Sequence, residues 1–469
     1  MRWITYLLIP LALVAFVTGC SGGTVAPPTS SIAVPVTSAA APTATPVPTA
    51  TPVPTATPVP TATPVPTATP VPTVAPAPTA TPVPTATPTT APAPTAVPSG
   101  SGAEILYLSG GRLQALNPRS KALRTLADGV RAFAATPDGQ RLALVRGLNS
   151  ATELWLINRD GSGLTQLTRN DRAESEPNWA PDGQSLVYSA AATAPPFPPD
   201  YQSWSLWCAT AEVRLYAMGN QSEVTLGAGC QPAYGPDGRR ILFASPPTSV
   251  SPGFAFPGAL NAIRMVNRQG QNGWSVARSD AGGDLEALVV YAPAWAPTGG
   301  QLAYQRFLGY QALVDITLTE LSSSYERKPV PLAVGAGWFL PPLYRPDGRQ
   351  LALVGYNFGD ARGFSGYDIW SVAILDLERP SQTQLPSATL DLGATEFTAL
   401  SGATAAAWSP DGGMLALVLP AGWRPGLSSM EPAFPDPGPA ELWLWRPGTP
   451  PDTKLAEQLD FGSPLLWLP

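Results

Sequence analysis

One short motif governs what this 469-residue chain can become: proline, aspartate and glycine in succession, with an aromatic a few residues before and an apolar run after. It occurs as Pro137-Asp138-Gly139, Pro181-Asp182-Gly183, Pro236-Asp237-Gly238, Pro346-Asp347-Gly348 and Pro410-Asp411-Gly412, and once with threonine in the middle, Pro297-Thr298-Gly299. Proline presets the dihedral at the second position of a tight turn, aspartate tolerates the third and bonds to the main chain, and glycine takes the left-handed conformation that follows. Two residues later an apolar strand begins, such as Leu142 to Val145 or Leu415 to Val418. The turns lie roughly 45 to 65 residues apart, a spacing that marks propellers and other repeat folds. A residue that recurs in every unit is structural, since a catalytic group has no reason to appear in each. The aromatic before each turn is expected to wedge against the next unit.

Each turn is followed by two more strand signals, as in Glu153 to Ile157 and Leu164 to Leu167, so each unit reads as a four-stranded antiparallel blade. A single such sheet cannot bury both faces, whereas a ring of them can. Before the first turn there are three strand signals, Ile105 to Leu108, Arg112 to Leu116 and Ala122 to Leu126. The chain ends in Pro464-Leu-Leu-Trp467-Leu-Pro469, which matches the start of a repeat. The expectation is therefore an all-β fold: a seven-bladed β-propeller over residues 103–469, closed by pairing of the N- and C-terminal strands. The array resembles the Pro-Asp-Gly repeats of the TolB-like β-propellers, distant relatives of WD repeats. That resemblance implies the ring and the turn-forming role of these residues, and leaves the ligand open. The chain departs from the Tol-Pal pattern in lacking an evident folded domain ahead of the ring.

Ahead of the ring, Arg2 precedes an apolar run from Ile4 to Val17, and small residues follow. This is the order of an export signal, residues 1–19, and its core is short for a membrane span. Val17-Thr18-Gly19-Cys20 resembles the lipobox of bacterial lipoproteins, which implies acylation at Cys20 and attachment to the bacterial cell membrane by lipid. Residues 20–102 are a linker dominated by Thr, Ala, Pro and Val, with Thr-Ala-Thr-Pro-Val-Pro starting at Thr43, Thr49, Thr55, Thr61, Thr67 and Thr79. Proline at this density removes donors, and the small residues cannot bury a core. A disordered, semi-extended polyproline stalk of up to roughly 200 Å is expected, bare or O-glycosylated.

Blade topology sorts the loops. Turns between the first and second and between the third and fourth strands share one face; the middle hairpins and the blade-to-blade connections share the other. Long insertions are expected on the second face: 191–210, 246–259, 357–366 and 421–440 in middle hairpins, and 387–404 in a connection. They carry Phe197, Tyr201, Trp204, Trp207, Phe254, Phe256, Phe364, Trp423 and Phe434, which nominate this rim as a binding face, with folding back onto the blades as the alternative. Cys208 and Cys230 fall on the same face, and in an exported protein their spacing points to a disulfide closing an irregular insertion, against two buried thiols.

The sequence holds no histidine, so Ser-His and Cys-His couples and histidine-based zinc sites are excluded. No loop follows a calcium-ligand pattern, and no metal or cofactor is expected. A net charge of −6, with 27 basic residues spread along the chain, argues against nucleic acid. The reading is a non-enzymatic extracytoplasmic binding or scaffold protein whose partner is an envelope or extracellular protein. Glycan or small-ligand capture is the first alternative. A glycoside hydrolase using carboxylates among Asp200, Glu431, Asp436 and Glu441 is the second.

Overall fold

In all six motifs the glycine N–H bonds back three residues: Gly139 to Thr136, Gly183 to Ala180, Gly238 to Gly235, Gly299 to Ala296, Gly348 to Arg345 and Gly412 to Ser409, at 2.7 to 2.9 Å. The six glycines have φ between +63° and +77°, a region that a side chain disfavours. In five turns the aspartate carboxylate accepts the main-chain N–H two residues on, at 2.8 to 3.0 Å: Gln140 to Asp138, Gln184 to Asp182, Arg239 to Asp237, Arg349 to Asp347 and Gly413 to Asp411. Asp138 and Asp411 are also bonded by the hydroxyls of Thr136 and Ser409, and these bonds hold both carboxyls below their ordinary range.

The computed structural model describes residues 102–147, 151–247, 261–279, 289–308, 313–321, 330–356, 370–378, 399–424 and 438–469. The chain divides into two units between Thr89 and Thr90, and all described residues belong to the second. Residues 1–101, which include the expected signal segment, Cys20 and the expected linker, lie outside them.

The strands form seven antiparallel sheets. Blade 1 is split: Leu466–Leu468 is innermost, followed outward by Glu104–Ser109, Arg112–Leu116 and Leu123–Asp128. Blade 2 holds Val130–Ala135, Arg141–Arg146, Glu153–Asn158 and Thr165–Gln166. Blade 3 holds Ala173–Trp179, Ser185–Ala191, Glu212–Ala217 and Ser222–Ala228. Blade 4 holds Cys230–Tyr234, Arg240–Ala244, Ala262–Asn267 and Trp274–Arg278. Blade 5 holds Val289–Trp295, Gln301–Phe307, Leu313–Glu320 and Val330–Ala336. In blade 6 Pro341 and Pro342, lacking N–H donors, part the innermost strand into Trp338–Phe339 and Leu343–Tyr344. Gln350–Tyr356, Trp370–Asp376 and Ala399–Ser401 follow. Blade 7 holds Ala405–Trp408, Leu415–Pro420, Ala440–Trp445 and Thr453–Leu459.

Second strands lie between neighbouring sheets, and Ser185–Ala191 and Leu415–Pro420 are buried throughout. Outermost strands carry charge at the open edge, as Glu223, Lys454 and Glu457 do.

The aromatics before the turns pack on the preceding blade, which corrects the expectation that they reach the next. Trp179 donates its indole N–H to Ala134 of blade 2 (3.1 Å), Trp295 to Ala233 of blade 4 (3.1 Å) and Trp408 to Leu343 of blade 6 (3.0 Å). Each ring is also covered by an arginine of that preceding blade, Arg141, Arg240 and Arg345 respectively. The turns lean the same way: a Cβ on Gly238 would meet Pro181 at 3.7 Å, and one on Gly348 would meet Pro297 at 3.6 Å. A Cβ on Gly139 would meet Pro469 at 3.7 Å, so the last proline stands where a preceding turn would be.

Blade 1 closes the ring. Glu104 pairs with Leu468, Ile105 with Trp467 and Leu106 with Leu466. On the long-loop face, the Asp460 carboxylate accepts the N–H groups of Gly110 (2.6 Å) and Gly111 (2.9 Å), and the Ser463 hydroxyl accepts from Leu108 (2.7 Å). On the short-turn face, where the strand from Glu104 begins, Glu104 receives Arg124 (2.8 Å) from its own blade and Arg159 (2.9 Å) from blade 2.

One insertion is displaced from its expected face. Ala399–Ser401 pairs with Ser371 to Ala373 as the outer strand of blade 6, so the link between residues 376 and 399 joins third and fourth strands. Its ends therefore lie on the short-turn face.

Chain shortened after Ser463 lacks the innermost strand of blade 1. It is expected to lose cooperative thermal unfolding followed by circular dichroism. A sharp transition at the temperature of the full chain would refute the closure.

Candidate functional site

The long-loop face is organised by the insertion of blade 3. Asp200 caps a helix over Tyr201–Ala209: its carboxylate accepts Ser203 N–H (2.8 Å), and the Ser203 hydroxyl accepts the Asp200 N–H in return. Tyr201, Trp204 and Cys208 follow at helical spacing and all turn inward. Tyr201 stacks on Phe307 of blade 5 at 4.8 Å, and Trp204 packs against both Tyr291 of blade 5 and Trp338 of blade 6, which stack on each other at 3.9 Å. Cys208 is disulfide-bonded to Cys230, the first residue of blade 4's innermost strand. The insertion thus contains a regular helix, where an irregular segment was expected.

Ahead of the helix the segment crosses the mouth of the ring. Phe197 stacks on Trp370 of blade 6 at 5.5 Å and meets Phe461, on the path from blade 7 to blade 1, at 5.8 Å. The ring of Phe197 lies so close to Gly462 that no Cβ would fit there.

The nominated aromatics divide accordingly. Tyr201, Trp204, Trp207 and Trp423 are buried, which corrects the expectation that they present rings to a ligand. Their partners are the blades: Trp207 donates to the Thr193 carbonyl (3.0 Å), and Trp423 packs edge-on against Trp443. Phe197 keeps 47% of its surface exposed. Phe254, Phe256, Phe364 and Phe434 lie outside the described residues, as do Glu431 and Asp436. The other two candidate carboxylates have structural partners. Asp200 caps the helix, and Glu441 accepts from Trp443 (2.9 Å) and Lys454 (3.2 Å).

Beside Phe197 opens a cavity of about 660 Å³, within the range of about 300–1,000 Å³ that holds compact ligands. Its walls come from blade 1 (Leu108, Gly110, Gly111), blade 2 (Val130, Ala132, Val145, Thr152), the start of blade 3 (Glu174, Ser175), the insertion (Pro195, Pro196, Phe197) and the 460–464 connection. Every one of these segments ends on the long-loop face.

Two carboxyls lie in the innermost strand of blade 3. Glu174 is fully buried and joins blades 2 and 3: it accepts Leu154 N–H (2.6 Å), the Thr168 hydroxyl (2.5 Å) and the Asn170 amide (2.9 Å). Burial pushes its carboxyl up to about 7, against the pull of the Thr168 and Asn170 bonds. Glu176 occupies a bulge in the innermost strand of blade 3, with φ +53°. It accepts the Ser189 hydroxyl (2.7 Å) and, across to blade 4, Gln231 N–H (2.8 Å). Gln231 sits at the same bulge with φ +56° and accepts Ala292 N–H of blade 5 (2.8 Å), whose φ is +50°. A relay of left-handed residues thus links three blades around the axis. Burial raises Glu176 to about 7 as well, despite its two donors. The sequence reading missed this pair. The available signal was two glutamates inside a strand that should otherwise be apolar, Ala173-Glu-Ser-Glu176.

No family model matches this chain. Among solved structures, it is similar to TolB from Acinetobacter baumannii, at 13% identity over 76% of this chain and 79% of that one, TM-score 0.41. It is similar to an oligogalacturonate lyase from Vibrio parahaemolyticus at 13% identity over 66% and 80%, TM-score 0.46. A protein of unknown function from Desulfotomaculum acetoxidans matches at 12% identity over 77% and 98%, TM-score 0.46. The propeller assignment rests on the strand pairing described above.

Two outcomes are expected. Replacing both Cys208 and Cys230 by serine should lower the unfolding free energy by about 3 kcal/mol in denaturant titration, because a loop with sequence separation 22 is released; an unchanged midpoint would contradict this. The second concerns pH. Folded Glu174 and Glu176 keep their protons to about 7, whereas in the unfolded chain both lose them near the ordinary value of 4.5. The folded state therefore binds more protons inside that window, so stability falls as pH rises from about 4.5 to 7 and levels off above. Each group contributes on the order of 3 kcal/mol. Glu176→Gln should reduce the slope measured by urea unfolding across that range, and a slope equal to that of the unaltered chain would refute the assignment.

Proposed function

We propose that the chain is an extracytoplasmic binding protein, held to the bacterial cell membrane by lipid on Cys20, that offers the long-loop face of its propeller to an envelope or extracellular protein. The observation that carries this reading is the cavity of about 660 Å³ beside Phe197. It opens on the face where the blade 3 insertion emerges, and one wall is that insertion, fixed by a disulfide and by stacking across the ring. Recognition by loops on a rigid scaffold needs this combination of shape and fixed position.

The reading is of binding without catalysis. The polar side chains around the cavity hold the wall together: Thr152 donates to the Glu174 carbonyl (2.7 Å), Asp460 binds the Gly110–Gly111 hairpin, and the Arg131 Nε donates to Gly147 (3.1 Å). Glu174 has three donors of its own. An acid–base pair facing a substrate would need groups left free for it. The sequence also offers no histidine.

The test is photo-cross-linking in native envelopes, with a photoreactive residue placed either at Ala194, beside the cavity, or at Gln140, on the short-turn face. A protein adduct that forms from Ala194 and is absent from Gln140 is expected. Adducts from Gln140 alone, or equally from both, would overturn the reading.

A further inference from the structure

Most polar side chains lining the cavity have partners within the fold, and one does not. Thr152, Glu174, Asp460 and Ser463 are bonded as described, and Arg131 is engaged through Nε. The hydroxyl of Ser175 is the exception: the residue is 4% exposed, lines the cavity, and its Oγ has no hydrogen-bond partner. Its main chain is fixed, because Ser175 pairs with Ser189 immediately before the bulge at Glu176. A buried hydroxyl without a partner costs about 1–3 kcal/mol. The Oγ itself has almost no accessible surface, so an entering group removes this cost once the Ser175 side chain turns toward the cavity.

We propose that Ser175 Oγ is the hydrogen-bonding floor of a peptide subsite, where it takes a main-chain group of an apolar segment of the partner protein. This deepens the binding reading above and rests on it. The chemistry of the lining selects the ligand. Around Ser175 the wall is Val130, Ala132, Val145, Pro195, Pro196 and Phe197, an apolar surface with one neutral polar point. A sugar carries hydroxyls on all sides and needs many polar partners, which this wall directs to itself. The charged lining residues Arg131 and Asp460 have opposite signs and Glu174 is buried among its own donors, so the lining offers no net charge to select an ionic ligand. A polypeptide with apolar side chains presents one donor and one acceptor per residue on an apolar body, and a serine hydroxyl can meet either. Gly110 and Gly111 border the opening, and a Cβ on either would meet no protein atom, so a second main chain can pass close beside them.

The test uses the full chain and random peptides displayed on phage, with affinities then measured for the enriched peptides made synthetically. Uncharged apolar sequences are expected. Ser175→Ala should raise their Kd about five- to tenfold, the effect of one lost hydrogen bond, while the unfolding temperature without peptide stays equal or rises because an unsatisfied hydroxyl has gone. Ala194→Trp, at the cavity wall, should abolish binding. If Ala194→Trp abolishes binding and Ser175→Ala leaves Kd unchanged, the cavity reading stands and the role of Ser175 fails. If neither substitution matters, the cavity reading fails with it. Absence of enriched peptides overturns the proposal, as does a loss of affinity matched by a fall in unfolding temperature for Ser175→Ala.

Discussion

Everything in this ring depends on three residue pairs, Glu104 with Leu468, Ile105 with Trp467 and Leu106 with Leu466. A sheet in a propeller is buried on both faces only if it has a neighbour on each side, so a ring missing one innermost strand exposes apolar surface along its axis. The clasp is short, and its surroundings reinforce it. The Asp460 carboxylate and Ser463 hydroxyl hold the incoming connection, and Glu104 joins two arginines at the opposite face. Pro469 then takes the place of a turn proline beneath Gly139. The ring of turns is continuous because the end of the chain imitates one of them.

The long-loop face shows how a rigid scaffold acquires a shaped mouth. The blade 3 insertion runs across the ring to blade 6, and its aromatic side chains are the means of attachment. Tyr201 and Trp204 lie on blades 5 and 6, Phe197 reaches Trp370, and the disulfide to Cys230 fixes the far end of the helix. The rings that look from sequence like ligand contacts are therefore the fasteners of the lid. What lines the cavity is quieter: Phe197 aside, it is prolines, glycines, small apolar side chains and a few polar groups, most of them bonded within the fold.

This division explains how much was legible. The turn motif has a local cause in the dihedral preferences of proline and glycine, so it declares itself in sequence, and the blade count and split closure follow from it. Cys208 and Cys230 are legible as a pair because they are close in sequence and the N-terminal segment reads as an export signal. Burial of Tyr201 and Trp204 depends on Phe307, Tyr291 and Trp338, which lie more than eighty residues away in the chain, and no local rule reveals it. The helix itself was readable, from Asp200 with Ser203 and apolar residues at 201, 204 and 208. Pro195, Pro196, Pro198 and Pro199 just ahead of it carry the opposite, loop signal. The fourth strand of blade 6 has only three residues, Ala399–Ser401, too short for a periodic signal, which is why the long link before it was assigned to the wrong face. Glu174, Ser175 and Glu176 escaped because polar residues in an inner strand acquire meaning only when the neighbouring blades and the cavity are in place.

The entry of the chain into blade 1 has a mechanical consequence. Strand Glu104–Ser109 is the second of its blade, flanked on one side by Leu466–Leu468 and on the other by Arg112–Leu116. Its hydrogen bonds run across the strand direction. Tension applied at Gly102 while a partner is held at the opposite face would act along the strand, loading both ladders in shear together instead of peeling one edge bond by bond. The ring is thus joined to the preceding chain through a strand that has no free edge.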